Sequence, residues 1–271
     1  MSALTVGDIT VQALVDGSIR EVGRDVWRRD GCCGDPWDAH AEMLDGRGRV
    51  ELAQGSFLVR SGQRLALVDL GIGPVRTERY DGGQLMGALS GAGYAPDDVT
   101  DVLFTHLHFD HIGWASMDGR PTFRRASHRV HRADWEHFVE GPGASDATRS
   151  TLLPVAPQLE PFDAAGELLP GVRARPVGGH TPGSTVYELS SGSDGALILG
   201  DVAHLPFELI ERGWRSVFDV DAPRAQEVRI QLAEEAARSG VPVALAHRPQ
   251  LRLGRLGFAR AGLTWEDLPA C

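Results

Sequence analysis

Four apolar segments of this chain each run directly into a histidine or an aspartate. "DVLFT" precedes His106, "VRARPVGG" precedes His180, "ALILG" precedes Asp201 and "VPVALA" precedes His247. The apolar runs predict buried strands. Because α/β sheets build their sites at the carboxyl ends of strands, these side chains are expected at one sheet edge. A fold for this chain must bring these distant positions together.

The first segment continues into a dense group of metal-capable side chains. The stretch "FTHLHFDHIG" holds three of the ten histidines of the chain, His106, His108 and His111, together with Asp110. Neutral imidazole and carboxylate oxygen are common protein ligands of zinc. The spacing therefore predicts a metal site at the end of this strand.

The order of the predicted elements favours one α/β domain. Up to about residue 70 the chain is rich in strand patterns such as "ITVQALVDG", and later segments alternate between strands and helices. The clearest helix is "DAPRAQEVRIQLAEEAARSG", with Asp221 as its N-cap and Gly240 just past its end. No repeat or linker interrupts the chain. We therefore predict a single domain over residues 1–271, with sheets packed between helical layers.

The charge of the chain argues against two classes of partner. The formal net charge is −10, and the 27 basic residues are all arginines, scattered along the chain. Without a sustained basic block, neither nucleic-acid binding nor a polybasic membrane anchor is expected. No apolar stretch approaches the ~20 residues of a membrane-spanning helix. The first residues lack the positive region of a secretory signal, so we expect a cytoplasmic protein.

The three cysteines form no recognisable framework. Cys32 and Cys33 are adjacent, and Cys271 is the last residue of the chain. This spacing matches neither a disulfide scaffold nor a CxxC metal knuckle. It favours free thiols in a reducing compartment over a vicinal disulfide or a thiolate metal site.

The histidine motifs resemble those of a known family. "THLHFDH" resembles the H-x-H-x-D-H signature of the metallo-β-lactamase superfamily, and "GGHTPGST", "LILGD" and "ALAH" resemble its later metal motifs in the same order. The resemblance extends from "LVDLGIG" near residue 70 to His247. These motifs and "VHRADWEHF" are most similar to the branch that contains quorum-quenching acyl-homoserine lactonases and methyl parathion hydrolase.

The resemblance implies an α/β fold of the αβ/βα four-layer sandwich type, with a two-metal site at one edge of the β-sandwich. Two Zn²⁺ ions are implied, although Mn, Co or Fe would suit similar ligands. A catalytic zinc site of this kind keeps a position open for water. The implied ligands are His106, His108 and His180 for the first ion, Asp110, His111 and His247 for the second, and Asp201 as the bridge.

The implied activity is that of a metal-dependent hydrolase of the lactonase or esterase type. A metal-bridging hydroxide would open a lactone or another small carboxylic ester, and Asp110 would carry the proton to the leaving oxygen. Organophosphate triesters, thioesters and β-lactams remain alternative substrates, because the same nucleophile can attack each of them. An iron-dependent redox enzyme and a non-catalytic sensor are further alternatives, which the complete ligand set disfavours. The expected partner is a small-molecule substrate, and a homodimer is left open.

His204 stands where this chain departs from the lactonase pattern. That branch carries a tyrosine three positions beyond the bridging aspartate, whereas "GDVAH" places a histidine there. We predict that His204 donates a hydrogen bond to the developing oxyanion. Two nearby dications would favour its neutral form. The alternative is a side chain turned outward or packed behind the loop.

Several other residues have both a functional and a structural interpretation. Asp69 in "LVDLGIG" is either a partner of a ligating histidine or a turn-stabilising residue. His128, His131 and His137 lie outside the metal motifs, which favours structural roles. Four aromatic residues either line an acyl or aryl pocket or belong to the core. They are Trp27, Trp37, Phe207 and Trp214.

Overall fold

The structure is a computed structural model that describes residues 3–141, 144–260 and 262–269. The strands, in chain order, are β1 (Ala3–Val6), β2 (Ile9–Val22), β3 (Trp27–Arg29), β4 (Arg49–Ser61), β5 (Arg64–Val68), β6 (Tyr80–Asp81), β7 (Asp101–Leu103), β8 (Ser116–Met117), β9 (Arg120–Pro121), β10 (Ser127–Arg129), β11 (Gly166–Leu169), β12 (Val172–Pro176), β13 (Thr185–Ser191), β14 (Asp194–Ile198), β15 (Trp214–Ser216), β16 (Val243–Ala244), β17 (Gly254–Ala259) and β18 (Gly262–Asp267).

The helices are short except for the last one. In chain order they are α1 (Gly23–Val26), α2 (Leu85–Gly91), α3 (Phe109–Ile112), α4 (Arg132–Trp135), α5 (Asp146–Leu152), α6 (Phe207–Ile210) and α7 (Ala222–Ser239). A π-helical turn, Glu136–Glu140, extends α4. The 3₁₀ turns are Pro36–Met43, Pro96–Asp98, Leu153–Gln158, Gly200–Val202 and Pro249–Leu251.

Two seven-stranded sheets pack face to face within the described residues. The first has the order β1-β2-β4-β5-β7-β10, with β6 paired to β2, and the second has the order β11-β12-β13-β14-β16-β17-β18. Their inner faces share one apolar core, to which Val59 and Val68 contribute from the first sheet and Tyr187 and Ile198 from the second. Sheet-on-sheet packing of this kind buries one face of every central strand.

Helices cover the outer faces of both sheets, as the order of elements in the sequence predicts. Leu85 and Leu89 of α2 share a core with Leu67 of β5 on the first sheet. On the second sheet, Val228 and Leu232 of α7 lie in a core with residues of β14 and β16. The predicted α/β four-layer sandwich is therefore the observed architecture.

The directions of the central strands bring several loops to one edge. Strands β5 and β7 are parallel, as are β14 and β16. Strand β12 has the same direction as β14, because each is antiparallel to β13. The chain leaves the carboxyl ends of these five strands through the loops that carry Asp69, His106, His180, Asp201 and His247. The strand predicted from "VPVALA" is regular only at Val243–Ala244, yet it leads to the same edge.

A buried aspartate fixes two loops to the first sheet. The pairing of β2 with β4 shifts register between Val15 and Gly17, and Asp16 lies at that shift. Its carboxylate accepts hydrogen bonds from five donors, which restrain the loop after β5 and the start of α2. The donors are the backbone N–H groups of Ile72, Gly73, Gly83 and Leu85 and the indole N–H of Trp114.

Helix α7 has the ends that its sequence predicts. Asp221 is the N-cap, with its side chain accepting a hydrogen bond from the N–H of Arg224, and Gly240 ends the helix at a φ of 66°. Its buried face is apolar apart from Arg229, whose guanidinium lies beneath the metal-capable residues. The long helix therefore supports the site from behind the second sheet.

Two findings concern the remaining predictions. Cys32 and Cys33 are exposed free thiols, whereas Cys271 lies outside the described residues. In the part of the chain that the structure describes, no helix combines the length and apolar character needed to cross a membrane.

Candidate metal centre

The first group of metal-capable side chains gathers around His108. Its Nδ1 atom lies 3.1 Å from Nε2 of His106 and 3.0 Å from Nε2 of His180. The Oδ2 atom of Asp201 lies 3.7 Å from the first of these Nε2 atoms and 3.5 Å from the second. One ligand atom from each of the four residues lies within 4.8 Å of the others, so a single cation can contact all of them.

The second group lies on the other side of the same aspartate. The Oδ1 atom of Asp201 is 3.3 Å from Nε2 of His111 and 3.0 Å from Nε2 of His247. Asp110 completes the group, with its Oδ2 atom 3.9 Å from the first nitrogen and 3.7 Å from the second. Oδ2 of Asp201 is also 3.1 Å from Nε2 of His247, so this one carboxylate lies between the two groups and contacts both.

The outer ring nitrogens of these histidines contact oxygen atoms. Nδ1 of His111 is 2.8 Å from Asp69, Nδ1 of His180 is 3.1 Å from Asp219, and Nδ1 of His247 is 3.0 Å from the carbonyl oxygen of Ala53. A ring that donates from Nδ1 and is neutral presents a lone pair at Nε2. Ligating histidines are usually oriented by contacts of this kind.

These lone pairs fit a bound cation. In the described structure, Nε2 of His111 and Oδ1 of Asp201 are buried with no hydrogen-bond partner. Two acceptors that face each other without a proton between them repel, and a divalent cation removes that repulsion. The residues present therefore fit a metal.

Burial and charge set the protonation of the first group. Burial lowers the pKa of His106 and His180 below the usual value and that of His108 to about 3, which favours neutral rings. Burial acts to raise the pKa of Asp201, but the neighbouring histidines, with His247 foremost, hold it well below the usual range. Neutral imidazole and ionised carboxylate are the forms that bind metals.

The pKa of His111 is shifted in the opposite direction. Burial acts to lower it, but the carboxylates of Asp201, Asp69 and Asp110 raise it well above the usual value. Three carboxylates around one imidazole create a strongly negative environment. This environment favours a proton on the His111 ring, and a divalent cation can take the place of that proton between the ring and the carboxylates.

Two glycines allow the close packing of the site loops. Gly200 has a φ of 55°, and a Cβ atom there would lie 2.7 Å from the side chain of Thr105. Gly179 has a φ of 103°, and a Cβ atom would lie 2.6 Å from the backbone nitrogen of Ala225 in α7. Both glycines immediately precede a metal-capable residue, so larger side chains would displace Asp201 or His180.

Asp134 joins the two loops of the first group. Its buried carboxylate accepts hydrogen bonds from the N–H of Leu107, the hydroxyl of Thr181 and the N–H of Gly183. Burial raises its pKa to about 6. The sequence motif "VHRADWEHF" drew attention to this segment, but spacing alone did not identify Asp134 as the link.

His204 faces the cluster and is not turned outward. Its Nε2 atom lies 3.5 Å from Oδ2 of Asp201, and its ring stacks on that of His247 with centroids 5.5 Å apart. Its Nδ1 atom lies 3.2 Å from Glu208, which also accepts the backbone N–H of His204. Burial acts to lower the pKa of His204, but Glu208 and Asp201 raise it to about 9. The expectation of a neutral ring from the sequence did not include Glu208.

An apolar cavity of about 170 Å³ opens onto the cluster. Of the two roles that the sequence left open for Trp27, Trp37, Phe207 and Trp214, the structure shows the core role: all four are buried together in a core behind His204. Spacing in a sequence does not show which side of a loop faces a cavity. The residues that line it are Ile19, Glu21, Leu52, His108, Phe109, Asp110, Asp201, His204, Phe218 and His247.

His128, His131 and His137 belong to neither of the two metal-capable groups. His128 is fully buried and stacks on Phe104, His131 caps α4, and His137 is exposed on the π-helical turn. Asp69, whose role the sequence left open, contacts Nδ1 of His111. It adopts a φ of 60°, which is unusual for a residue with a side chain.

Comparison with known proteins identifies the family. Residues 50–246 match the Metallo-beta-lactamase superfamily, and this match covers well over half of the chain. The chain belongs to the metallo-β-lactamase superfamily. The four-layer fold, the resemblance of the motifs and the family match agree. Together with the relatives and structures below, they support a metal-dependent hydrolase.

Curated relatives within this superfamily match part of the chain. An N-acyl homoserine lactonase of a Bacillus species is 26% identical over 158 residues, which are 55% of this chain and 60% of that protein. The human metallo-beta-lactamase domain-containing protein 1 is 44% identical over 78 residues, covering 29% of this chain and 26% of its own length. The chain thus spans less than two thirds of either relative.

Solved metallo-β-lactamase structures match nearly the whole chain. AidC, a dizinc quorum-quenching lactonase solved with a product, superposes with a TM-score of 0.85 at 22% identity, covering 98% of this chain and 97% of its own. The hydrolase AbOPH has a TM-score of 0.84 at 22% identity, covering 99% and 96%. At this identity the likeness shows a shared fold.

Proposed function

We propose that this protein is a dinuclear zinc hydrolase that opens a lactone or another small carboxylic ester. The observation that carries the proposal is the position of the Asp201 carboxylate between the two histidine groups: its Oδ2 atom contacts His180 of the first group, and both of its oxygens contact His247 of the second. A carboxylate between two sets of ligands is suited to bridge two cations. The dizinc centre of the structural neighbour AidC supports the same assignment.

The two groups of metal-capable residues supply the ligands of the two proposed zinc ions. His106, His108 and His180 would hold the first zinc, and Asp110, His111 and His247 the second, with Asp201 shared between them. Two divalent cations held in this way activate water near neutral pH and polarise a carbonyl oxygen. Imidazole and carboxylate ligands favour zinc over magnesium or calcium. We also propose that residues 1–271 form a single domain and that the protein is cytoplasmic.

Asp110 moves the proton that ester cleavage requires. Its carboxylate lines the cavity, and its Oδ2 atom lies 3.7 Å from Nε2 of His247 in the second histidine group. A carboxylate in this position takes a proton from the attacking water and returns it to the leaving alkoxide. The water oxygen forms a bond to the carbonyl carbon, and the bond from that carbon to the leaving oxygen breaks. The products are a carboxylic acid and an alcohol.

His204 stabilises the oxyanion that forms on the carbonyl oxygen. Its Nε2 atom is buried at the cavity, and Glu208 fixes the ring through Nδ1. Because Nδ1 faces a carboxylate, Nε2 donates only when the ring is protonated; Glu208 and Asp201 favour that form by raising the pKa of His204, and two nearby dications oppose it. Removing one such donor typically slows a reaction ~10²- to 10³-fold.

The cavity walls favour a substrate with an apolar substituent. Ile19, Leu52, Phe109 and Phe218 surround the space above the metal-capable residues. An acyl or aryl group would remove this apolar surface from water. Lactones and aryl esters carry such groups, and so do organophosphate triesters, which remain the alternative substrates for the same centre.

A substrate screen tests the proposal. Zinc-loaded protein is assayed against lactones, aryl esters, thioesters, β-lactams and phosphotriesters, with Asp201→Asn as the inactive control. We expect the highest kcat/KM on a lactone or ester with an apolar substituent. Turnover of only a phosphotriester, or turnover by Asp201→Asn equal to that of the unmodified protein, would contradict it.

A further inference from the structure

Behind the metal-capable residues, one buried arginine joins three parts of the site. Arg229 lies on the buried face of α7, where the other inward positions are apolar. Its Nε–H donates to the carbonyl oxygen of Val202 at 2.7 Å, and its Nη1 group donates to the carbonyl oxygen of Trp214 at 3.0 Å. Val202 directly follows Asp201, so the first bond holds the turn that presents the shared carboxylate.

The same guanidinium lies between two buried carboxylates. Its Nη2 atom is 3.4 Å from Oδ2 of Asp219 and 3.6 Å from Oε1 of Glu208. Each of these carboxylates also contacts a site histidine: Asp219 meets Nδ1 of His180 at 3.1 Å, and Glu208 meets Nδ1 of His204 at 3.2 Å. Both carboxylates also accept backbone N–H groups, from Ser216 for Asp219 and from His204 and Leu205 for Glu208, and Arg229 supplies the cation that lies between them.

Packing alone does not account for an arginine at this position. A buried charge is expensive to desolvate, and apolar side chains often replace buried ion pairs without loss of stability. The neighbours of Arg229 on the inner face of α7 include Ala225, Val228 and Leu232, which an apolar residue would match. The guanidinium supplies what an apolar residue lacks, a rigid fork of donors that contacts two carboxylates and two backbone carbonyl oxygens at once.

We propose that Arg229 is a positioning residue that orients His180 through Asp219, His204 through Glu208, and Asp201 through its backbone. This role rests on the proposed metal-dependent function. It predicts that a single residue with no contact to metal or substrate controls both metal retention and turnover. The two carboxylates should separate these effects, because Asp219 acts on a proposed ligand and Glu208 on a proposed oxyanion donor.

Cobalt binding tests the proposal without any substrate. Metal-free protein is titrated with Co²⁺ while the absorption spectrum reports coordination by histidine. We expect Arg229→Met to weaken Co²⁺ binding about 10- to 100-fold, the range seen when contacts behind a ligand are lost. Arg229→Lys, which keeps the charge but not the fork, should recover part of the loss.

Arg129 provides the matched control. Its guanidinium also bridges two carboxylates, those of Asp101 and Glu160, and donates to the carbonyl oxygen of Leu168, but it contacts no metal-capable residue of the cluster. Arg129→Met and Arg229→Met should both lower the thermal stability of the metal-free protein, because each removes a cation that contacts a buried carboxylate, but Arg129→Met should leave Co²⁺ affinity unchanged. Equal loss of Co²⁺ affinity in both variants would show a general structural effect and overturn the proposal.

Variants of the two carboxylates complete the design. Asp219→Asn should weaken Co²⁺ binding, whereas Glu208→Gln should keep it and lower kcat with little change in KM. Arg229→Lys should weaken Co²⁺ binding less when it is introduced into the Asp219→Asn variant than when it is introduced into the unmodified protein. The reason is that both substitutions act on the same ligand, His180. Fully additive losses would contradict a shared route.

The outcomes separate this inference from the proposed function. If the unmodified protein binds no Co²⁺, the proposed metal centre is wrong, and the role of Arg229 is overturned with it. If the unmodified protein and both Arg229 variants bind Co²⁺ equally well, the metal centre stands and only the role of Arg229 is refuted. If Arg229→Met does not fold, Arg229→Lys decides, since unchanged Co²⁺ affinity and kcat in that variant overturn the proposal.

Discussion

The Oδ2 atom of Asp69 lies 2.8 Å from Nδ1 of His111, and this contact leaves the opposite ring nitrogen facing Asp201. Asp69 also accepts hydrogen bonds from the N–H and the hydroxyl of Thr105. Its three contacts therefore join the loop after β5 to the loop after β7 and to His111 of the second group. A contact of this kind fixes both the tautomer and the direction of a ligating ring.

Asp69→Asn should therefore weaken the second metal position. Asparagine tolerates the positive φ of this position but turns an N–H group toward one of the three donors. We expect metal affinity to fall about 10- to 100-fold for one of the two ions. Competition with a chelator measures the effect, and loss of neither ion would show that Asp69 only stabilises the turn.

Replacing ligand and bystander histidines should separate the two classes. His111→Ala or His247→Ala removes a side chain next to Asp201 and should empty the second position, lowering turnover by orders of magnitude. His137→Ala serves as the control because that side chain is exposed on the π-helical turn. Metal content and kcat are the measurements. A control variant as impaired as His247→Ala would refute the proposed ligand set.

His204→Ala should keep both metals and the fold but lose most of kcat. The ring contacts the cluster from the cavity side, and it is not needed to complete either group of ligands. The expected loss is ~10²- to 10³-fold, that of one oxyanion donor. His204→Tyr supplies a neutral donor in place of the imidazole and should recover part of the activity on lactones. Unchanged kcat/KM in the alanine variant would remove His204 from the mechanism.

Stability at low pH should depend on His128. Burial lowers its pKa to about 4 from an ordinary value of 6.5, so the unfolded chain binds a proton that the folded protein excludes. The free energy of unfolding should thus fall as pH drops from 6.5 to 4, by about 3 kcal/mol for this group. His128→Leu should flatten that part of the profile. Unfolding of metal-free protein at several pH values tests it, and parallel profiles for both proteins would contradict it.

The sequence was sufficient to predict the fold class and the edge at which the site lies. Four predicted strands each end at a metal-capable residue, namely His106, His180, Asp201 and His247. Because parallel strands have their carboxyl ends at the same edge of a sheet, these residues were expected to lie together. The helix from Ala222 to Ser239 was predictable because its cap and its terminal glycine are local signals.

The contacts behind the metal-capable residues were not predictable in the same way. Glu208 follows His204 by four positions, but spacing did not show that the ring would turn toward both Glu208 and the cluster. Asp219 meets His180, and Arg229 of α7 meets Asp219, only through tertiary packing, which leaves no periodic signal in the sequence. Loop side chains take their direction from such contacts, which is why the sequence could not decide whether the four aromatic residues line the cavity or belong to the core.

Metal stoichiometry tests the central claim most directly. Protein loaded with Zn²⁺ and freed of excess ion by gel filtration is measured by elemental analysis, beside Asp201→Asn treated identically. If Asp201 joins two groups of ligands, the unmodified protein should hold about two zinc ions per chain and the variant fewer. An unmodified protein that retains no more than one zinc ion would contradict the dinuclear centre.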